Sequence, residues 1–217
     1  MKKMLLIVML IAAFPALIFS EEKKPEAGEK SRNCCKIKEC IKGTVGIDHL
    51  EEQSVTAQDI IRKLDLEPMP ENKDLYFREI YRSKFSAKTE KPRSCATMIY
   101  DLMQGDAIDP WHKISSDEIF IHHAGTPVSM MLLYEDGAWE EKILGSNVTK
   151  GEVPQVIVPA GTWMAIALKD RSPESWALMG VLVVPGFEYE DIIKGDAEEL
   201  IKEYPAAAGR IRELGID

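Results

Sequence analysis

The chain has 217 residues, with 27 Lys and Arg against 36 Asp and Glu, and a formal net charge of -9. Its 45% hydrophobic content suits one packed domain and is too high for a disordered chain. The acidic balance argues against nucleic acid as a partner, because phosphate binding needs a positive field. No run reaches the roughly 18 apolar residues of a spanning helix, which excludes a polytopic membrane protein.

Lys2 and Lys3 precede an apolar stretch from Met4 to Phe19, and Ser20, Glu21 and Glu22 follow. A basic end, a short apolar centre and a small residue before polar sequence describe a secretory signal peptide over residues 1–20. Export to a periplasmic or extracellular space is therefore expected, with no membrane span in the mature form. The alternative is an uncleaved N-terminal anchor. Residues 21–53 are charged, hold Cys34, Cys35 and Cys40, and read as a linker. With Cys95 the cysteine count is four, which in an exported protein permits two disulfides in three connectivities. A Cys34–Cys35 bridge is disfavoured by the geometry of adjacent cysteines. A zinc cluster lacks the paired CxxC spacing and nearby histidines it needs.

The folded domain is expected over residues 54–217. Thr56 and Asp59 form a helix-start signal, and Ile60, Ile61 and Leu64 follow at helical spacing, ending before Pro68. Short apolar runs bounded by turn residues then predict strands at Tyr76–Tyr81, Ala96–Met103, Glu118–His123, Ser129–Tyr134, Gln155–Val158, Met164–Leu168 and Trp176–Val184. Many short strands at this spacing predict an all-β sandwich or jelly-roll barrel. Asp196 to Leu214 is predicted helical apart from Pro205. Met130, Met131 and Met179 read as core.

Three of the four histidines fall between residues 112 and 123, beside Asp117 and Glu118. On a strand, Glu118, Phe120 and His122 share one face, and Ile119, Ile121 and His123 share the other. A carboxylate on an apolar strand is costly to bury without a partner, and His112 is the natural one.

His112, Glu118 and Gly125 are spaced as in the first motif of the cupin superfamily, and Pro159-Ala160-Gly161 as in its second. The sequence resembles that superfamily. Leu66-Glu67-Pro68, Tyr76 to Ser83, Thr97-Met98-Ile99-Tyr100, Pro154-Gln155, Val158 to Trp163 and Val184 to Phe187 narrow the resemblance. Together they look like the one-domain cupin family often labelled "predicted sugar epimerase", from about Thr56 to Leu214. The resemblance implies a cupin jelly-roll β-barrel (a double-stranded β-helix) with flanking N- and C-terminal helices, and a homodimer. Its four metal-ligand positions hold His112, Ile114, Glu118 and Met164, so neither metal nor other cofactor is expected. Asp101 stands where the family usually has an apolar aromatic. Pro70 to Leu75 stand where the family usually has a glycine-rich approach to the Tyr76–Tyr81 strand.

A small polar ligand is the expected partner. His112 and Glu118 are the candidate catalytic pair, with Tyr76 or Tyr100 as the acid. Candidate ligand contacts are Arg78, Glu79, Phe120, His122, Gln155, Trp163 and Met164. The function that follows is binding of a sugar-like or other polar ligand without metal. The alternative is metal-free epimerisation or isomerisation, which needs a base and an opposing acid tuned near neutral pH.

Overall fold

Residues whose apolar side chains alternate form strands here because alternate positions face a shared core. A computed structural model describes residues 55–70, 72–89 and 92–215. The expected signal peptide and the segment bearing Cys34, Cys35 and Cys40 lie outside the described residues.

Helix α1 (Ala57–Leu64) opens on the predicted signal: Thr56 and Asp59 form a reciprocal capping box. Thirteen strands follow among the described residues: β1 (Glu67–Met69), β2 (Asn72–Arg82), β3 (Ser86–Ala87), β4 (Arg93–Ser94), β5 (Thr97–Gln104), β6 (Ile108–Lys113), β7 (Asp117–Gly125), β8 (Val128–Leu133), β9 (Trp139–Leu144), β10 (Gln155–Val158), β11 (Trp163–Leu168), β12 (Trp176–Val184) and β13 (Ile193–Lys194). Helices α2 (Ala197–Glu203) and α3 (Ala208–Leu214) close the described chain, joined by a short 3-10 turn that begins at Pro205.

The strands form a six-stranded antiparallel sheet, β1-β2-β5-β12-β7-β10, a five-stranded one, β13-β6-β11-β8-β9, and a two-stranded pair, β3-β4. The connections cross repeatedly between sheets, as a jelly roll requires. One core lies between the two inner faces, with Met103, Met179, Val181, Phe120 and Val156 from the first sheet and Met130, Leu132, Met164 and Ile166 from the second. Each such side chain contributes about 1.5–3 kcal/mol through its burial. A second core lies on the outer face of the five-stranded sheet, where Trp111, Met131, Leu133 and Ala165 meet Leu200, Tyr204, Ile211 and Leu214. Trp111 Nε1 donates to the Ile211 carbonyl at 3.1 Å and ties the C-terminal helix to β6.

The predicted all-β jelly roll with flanking helices is the observed architecture. The strands Gln155–Val158 and Trp176–Val184 have their predicted bounds. Strands β1, β3, β4, β6, β9 and β13 lie outside the predicted set. Pro110 and a break in alternation disguise β6, and β9 carries charged residues at successive positions.

Candidate functional site

The site begins with an irregularity in β6. On β11 one residue separates Met164 from Ile166, but their partners on β6, His112 and Asp109, are separated by two. The additional residue is a β-bulge, which turns the strand and re-aims its side chains. Asp109 and His112 therefore both stand opposite inward-facing residues, while Trp111 between them faces the outer core. Pro110 suits the bulge, because it has no N–H to give to the ladder. The His112 Nδ1 donates to the Pro110 carbonyl at 2.7 Å, and Asp109 Oδ1 lies 3.5 Å from the same nitrogen. That leaves Nε2 of the neutral ring as the acceptor.

Two further carboxylates enter from the other sheet. Glu118 on β7 pairs across the sheet with Val158 and Val183, both core residues. Asp101 on β5 pairs with Met179 and sits between Ile99 and Met103 on the inner face. Both carboxylates are only 7% exposed. The His112 and Asp109 side chains keep 15% and 27% exposure, so water reaches the group from their side.

Burial and crowding set the charge states. Burial, then Asp109 and Glu118, push the Asp101 carboxyl up to about 8, against the opposing pull of His112. Burial also raises Glu118 to about 7; His112 counteracts this and Asp109 reinforces it. Asp109 is raised by burial in spite of His112. For His112, burial disfavours the imidazolium, but Asp109, Glu118, the Pro110 carbonyl and Asp101 outweigh it and raise its pKa. The barrel thus holds a tuned base beside carboxyl groups that keep protons near neutral pH. Asp101 Oδ1 is buried without a hydrogen-bond partner.

The other predicted residues scatter. Phe120 and Met164 face the same interior as His112 and Glu118, as core side chains. His122 also lies on that face, opposite Met179. Its Nε2 approaches the Thr126 carbonyl at 3.3 Å, and its Nδ1 is buried and unpartnered. Tyr100 pairs with Gly180 and Arg78 on the outer face, where its ring stands edge-on to His123. It cannot act as an acid on a ligand beside His112, because adjacent strand residues point to opposite faces and its neighbour Asp101 points in. Trp163 faces outward for the same reason, with the Lys113 ammonium over its ring at 4.5 Å. Arg78 donates to the Leu64 carbonyl at 2.7 Å and secures the end of α1. Glu79 is exposed and paired with Arg82 at 2.9 Å. Gln155 is exposed on the edge strand β10, level with Ile121. Tyr76, two residues before Arg78 on β2, shares the outer face with it.

The family model described as Cupin superfamily (DUF985) matches residues 58–193. The chain belongs to the cupin superfamily. This cupin is 32% identical over 139 residues to the uncharacterized protein YML079W of Saccharomyces cerevisiae, a stretch covering 57% of this chain and 69% of the yeast protein. Among solved structures it is similar to a hypothetical protein from Leishmania major, with a TM-score of 0.68 and 26% identity over 75% of this chain and 100% of that one. It is also similar to protein SO0799 from Shewanella oneidensis, with a TM-score of 0.66 and 28% identity over 75% of this chain and 98% of that one.

In this cupin, two of the four positions where the motifs would place metal ligands hold Ile114 and Met164, both packed in the apolar core. Asp109 and Asp101 bring other oxygens nearby. Even so, among the described residues no three His, Cys, Asp or Glu side chains come together in an arrangement that could hold a metal ion. The donor set does not fit the cupin metal.

The sequence pointed to His112 and Glu118 but missed Asp101 and Asp109 as members of the cluster. Asp101 was visible as an acid replacing an aromatic in a predicted strand. Asp109 carried no signal, because only the bulge brings it in.

Proposed function

We propose that this cupin binds a small polar ligand inside its barrel, at His112, Asp101, Asp109 and Glu118. The observation that carries the reading is the buried cluster itself. Two carboxyl groups, Asp101 and Glu118, that must hold or shed protons away from bulk water, with a third acid beside them, lower the stability of the fold. Nothing in the barrel's packing compensates, since one Asp101 oxygen has no partner at all. A ligand with donors would satisfy that oxygen and its neighbours. Native mass spectrometry of gently purified protein, followed by thermal shift with the released compound, tests this. The expected result is a small ligand whose stabilising shift disappears in His112→Ala and Glu118→Ala. A shift retained in both variants would move the site elsewhere.

A second reading is supported by the free Nε2 of His112. That nitrogen can take a proton next to a substrate carbonyl, and a protonated carboxyl of Asp101 or Glu118 can serve as the acid in place of Tyr100. Such an epimerase or isomerase would exchange the substrate's carbon-bound hydrogen with solvent deuterium, which mass spectrometry reads directly.

Two expectations accompany both readings. Export requires cleavage near Ser20, and Edman or mass analysis of secreted protein should find a start near Glu21. A homodimer would use the outer face of the six-stranded sheet, where Ile157 is 60% exposed; light scattering at micromolar concentration decides its mass.

A further inference from the structure

We infer that the barrel site is built for a protonated amine, since Asp101, Asp109 and Glu118 converge there with His112 and, among the described residues, no lysine or arginine is paired to them. This deepens the preceding reading and rests on it. Three strands from both sheets supply the four groups: β5 and β7 from the larger, β6 from the smaller. The charges acting on Asp101 are Asp109, Glu118 and His112, and those acting on Glu118 are His112 and Asp109. Asp109, Glu118 and Asp101 are in turn the charges that act on His112. Among the described residues, the side-chain hydrogen bonds and ion pairs of the four groups are the His112 contacts with Pro110 and Asp109, and none is to a lysine or arginine. When all three carboxyls ionise, one imidazolium at most opposes them.

That balance selects among polar ligands by charge. A phosphate or carboxylate would meet three acids and at most one imidazolium, and would be repelled as the acids ionise. A neutral sugar could donate hydrogen bonds but would leave the acids crowded. An ammonium brings three donors and a positive charge. It can reach the interior past Asp109, whose side chain is 27% exposed, and end at the unpartnered oxygen of Asp101. Phe77, the cross-strand partner of Asp101, shares that face and adds an aromatic ring to the surroundings of a cation. Because Asp101 and Glu118 hold protons near neutral pH, binding an ammonium should drive protons out of the site.

Calorimetry with glucosamine, glucose and glucose 6-phosphate tests this on one ring skeleton carrying positive, zero and negative charge; ethanolamine supplies an amine without the ring. At pH 7 at least one amine should bind roughly tenfold tighter than glucose, glucose 6-phosphate should not bind, and the heat should change with buffer so as to report proton release. Asp101→Asn and Asp109→Asn should each lose about tenfold in amine affinity, and two sites of substitution keep the result readable if one variant is poorly folded. Binding of glucose or glucose 6-phosphate as tight as the amines, lost in His112→Ala, would overturn the amine assignment and leave the barrel as the ligand site. Amine binding unchanged in all three variants would overturn both. No binding by either amine would overturn the amine assignment alone.

Discussion

Replacing Asp101 by asparagine removes one titrating group from the barrel while keeping its shape. Burial and the neighbouring acids raise this carboxyl to about 8, against roughly 3.9 in an unfolded chain. A raised acid binds its proton more tightly when folded. Its contribution is therefore fully present below about pH 4, is lost as the pH rises, and is gone once the pH passes about 8. Each tenfold gain in proton affinity on folding is worth about 1.4 kcal/mol, so the wild type should lose at most about 4 kcal/mol through this group between pH 5 and pH 8. Relaxation around the charge brings the expected value to roughly 2–4 kcal/mol. A carboxamide cannot ionise, so the Asp101→Asn variant escapes the loss. Urea unfolding of both proteins at pH 5, 6, 7 and 8 measures the gap, with an unchanged denaturant slope as the control. The variant should be increasingly the more stable protein as pH rises. A gap that stays constant across this range would mean that Asp101 titrates like a solvated carboxylate and that the cluster is not as buried as described.

Glu118→Gln should show the same sign over a narrower window, gaining on the wild type as the pH rises through about 7, read by the same unfolding series. Tyr100→Phe should leave any ligand-induced thermal shift unchanged, because its hydroxyl lies on the opposite face of the sheet; a lost shift would place the ligand outside the barrel. Wild-type protein should carry well below one equivalent of Mn, Fe or Zn by plasma mass spectrometry, whereas Ile114→His with Met164→His should gain zinc; stoichiometric metal in the wild type would contradict the misfit of the donor set. Arg93→Met breaks a two-pronged pair with Asp191, at 2.7 and 2.8 Å, that is largely screened from water. It should cost about 3 kcal/mol of unfolding free energy, mostly from the carboxylate left alone.

Strands with an unbroken alternation were legible from sequence, and so was the helix opened by Thr56 and Asp59. The inward placement of Glu118 and Phe120 follows from that alternation. Tyr100 and Trp163 follow from it too, in the opposite sense: each is adjacent to an inward residue, Asp101 and Met164, and so must face out. What alternation could not give is β6. There the side-chain period fails at the bulge, and a proline makes the segment look like a loop. Arg78 and Glu79 suggest ligand contacts by residue type alone, but each has a structural partner, Leu64 and Arg82, that only tertiary placement brings near. The family resemblance supplied the fold. The resemblance did not supply the charge cluster, since it implies an aromatic at the position of Asp101 and is silent on Asp109.

The bulge in β6 constrains how this protein can change over generations. With two residues between them, Asp109 and His112 share the interior only while the strand stays bulged; straightened at the same length, it would turn one of them outward. Deleting Pro110 would restore strict alternation with Asp109 and His112 two positions apart, both still inward and Trp111 still outward, whereas deleting Trp111 would remove the side chain that anchors the last helix. Loss of one residue here is therefore tolerable at Pro110 and costly at Trp111. Lineages that keep the site should keep the tryptophan, together with either the bulge or a strand one residue shorter.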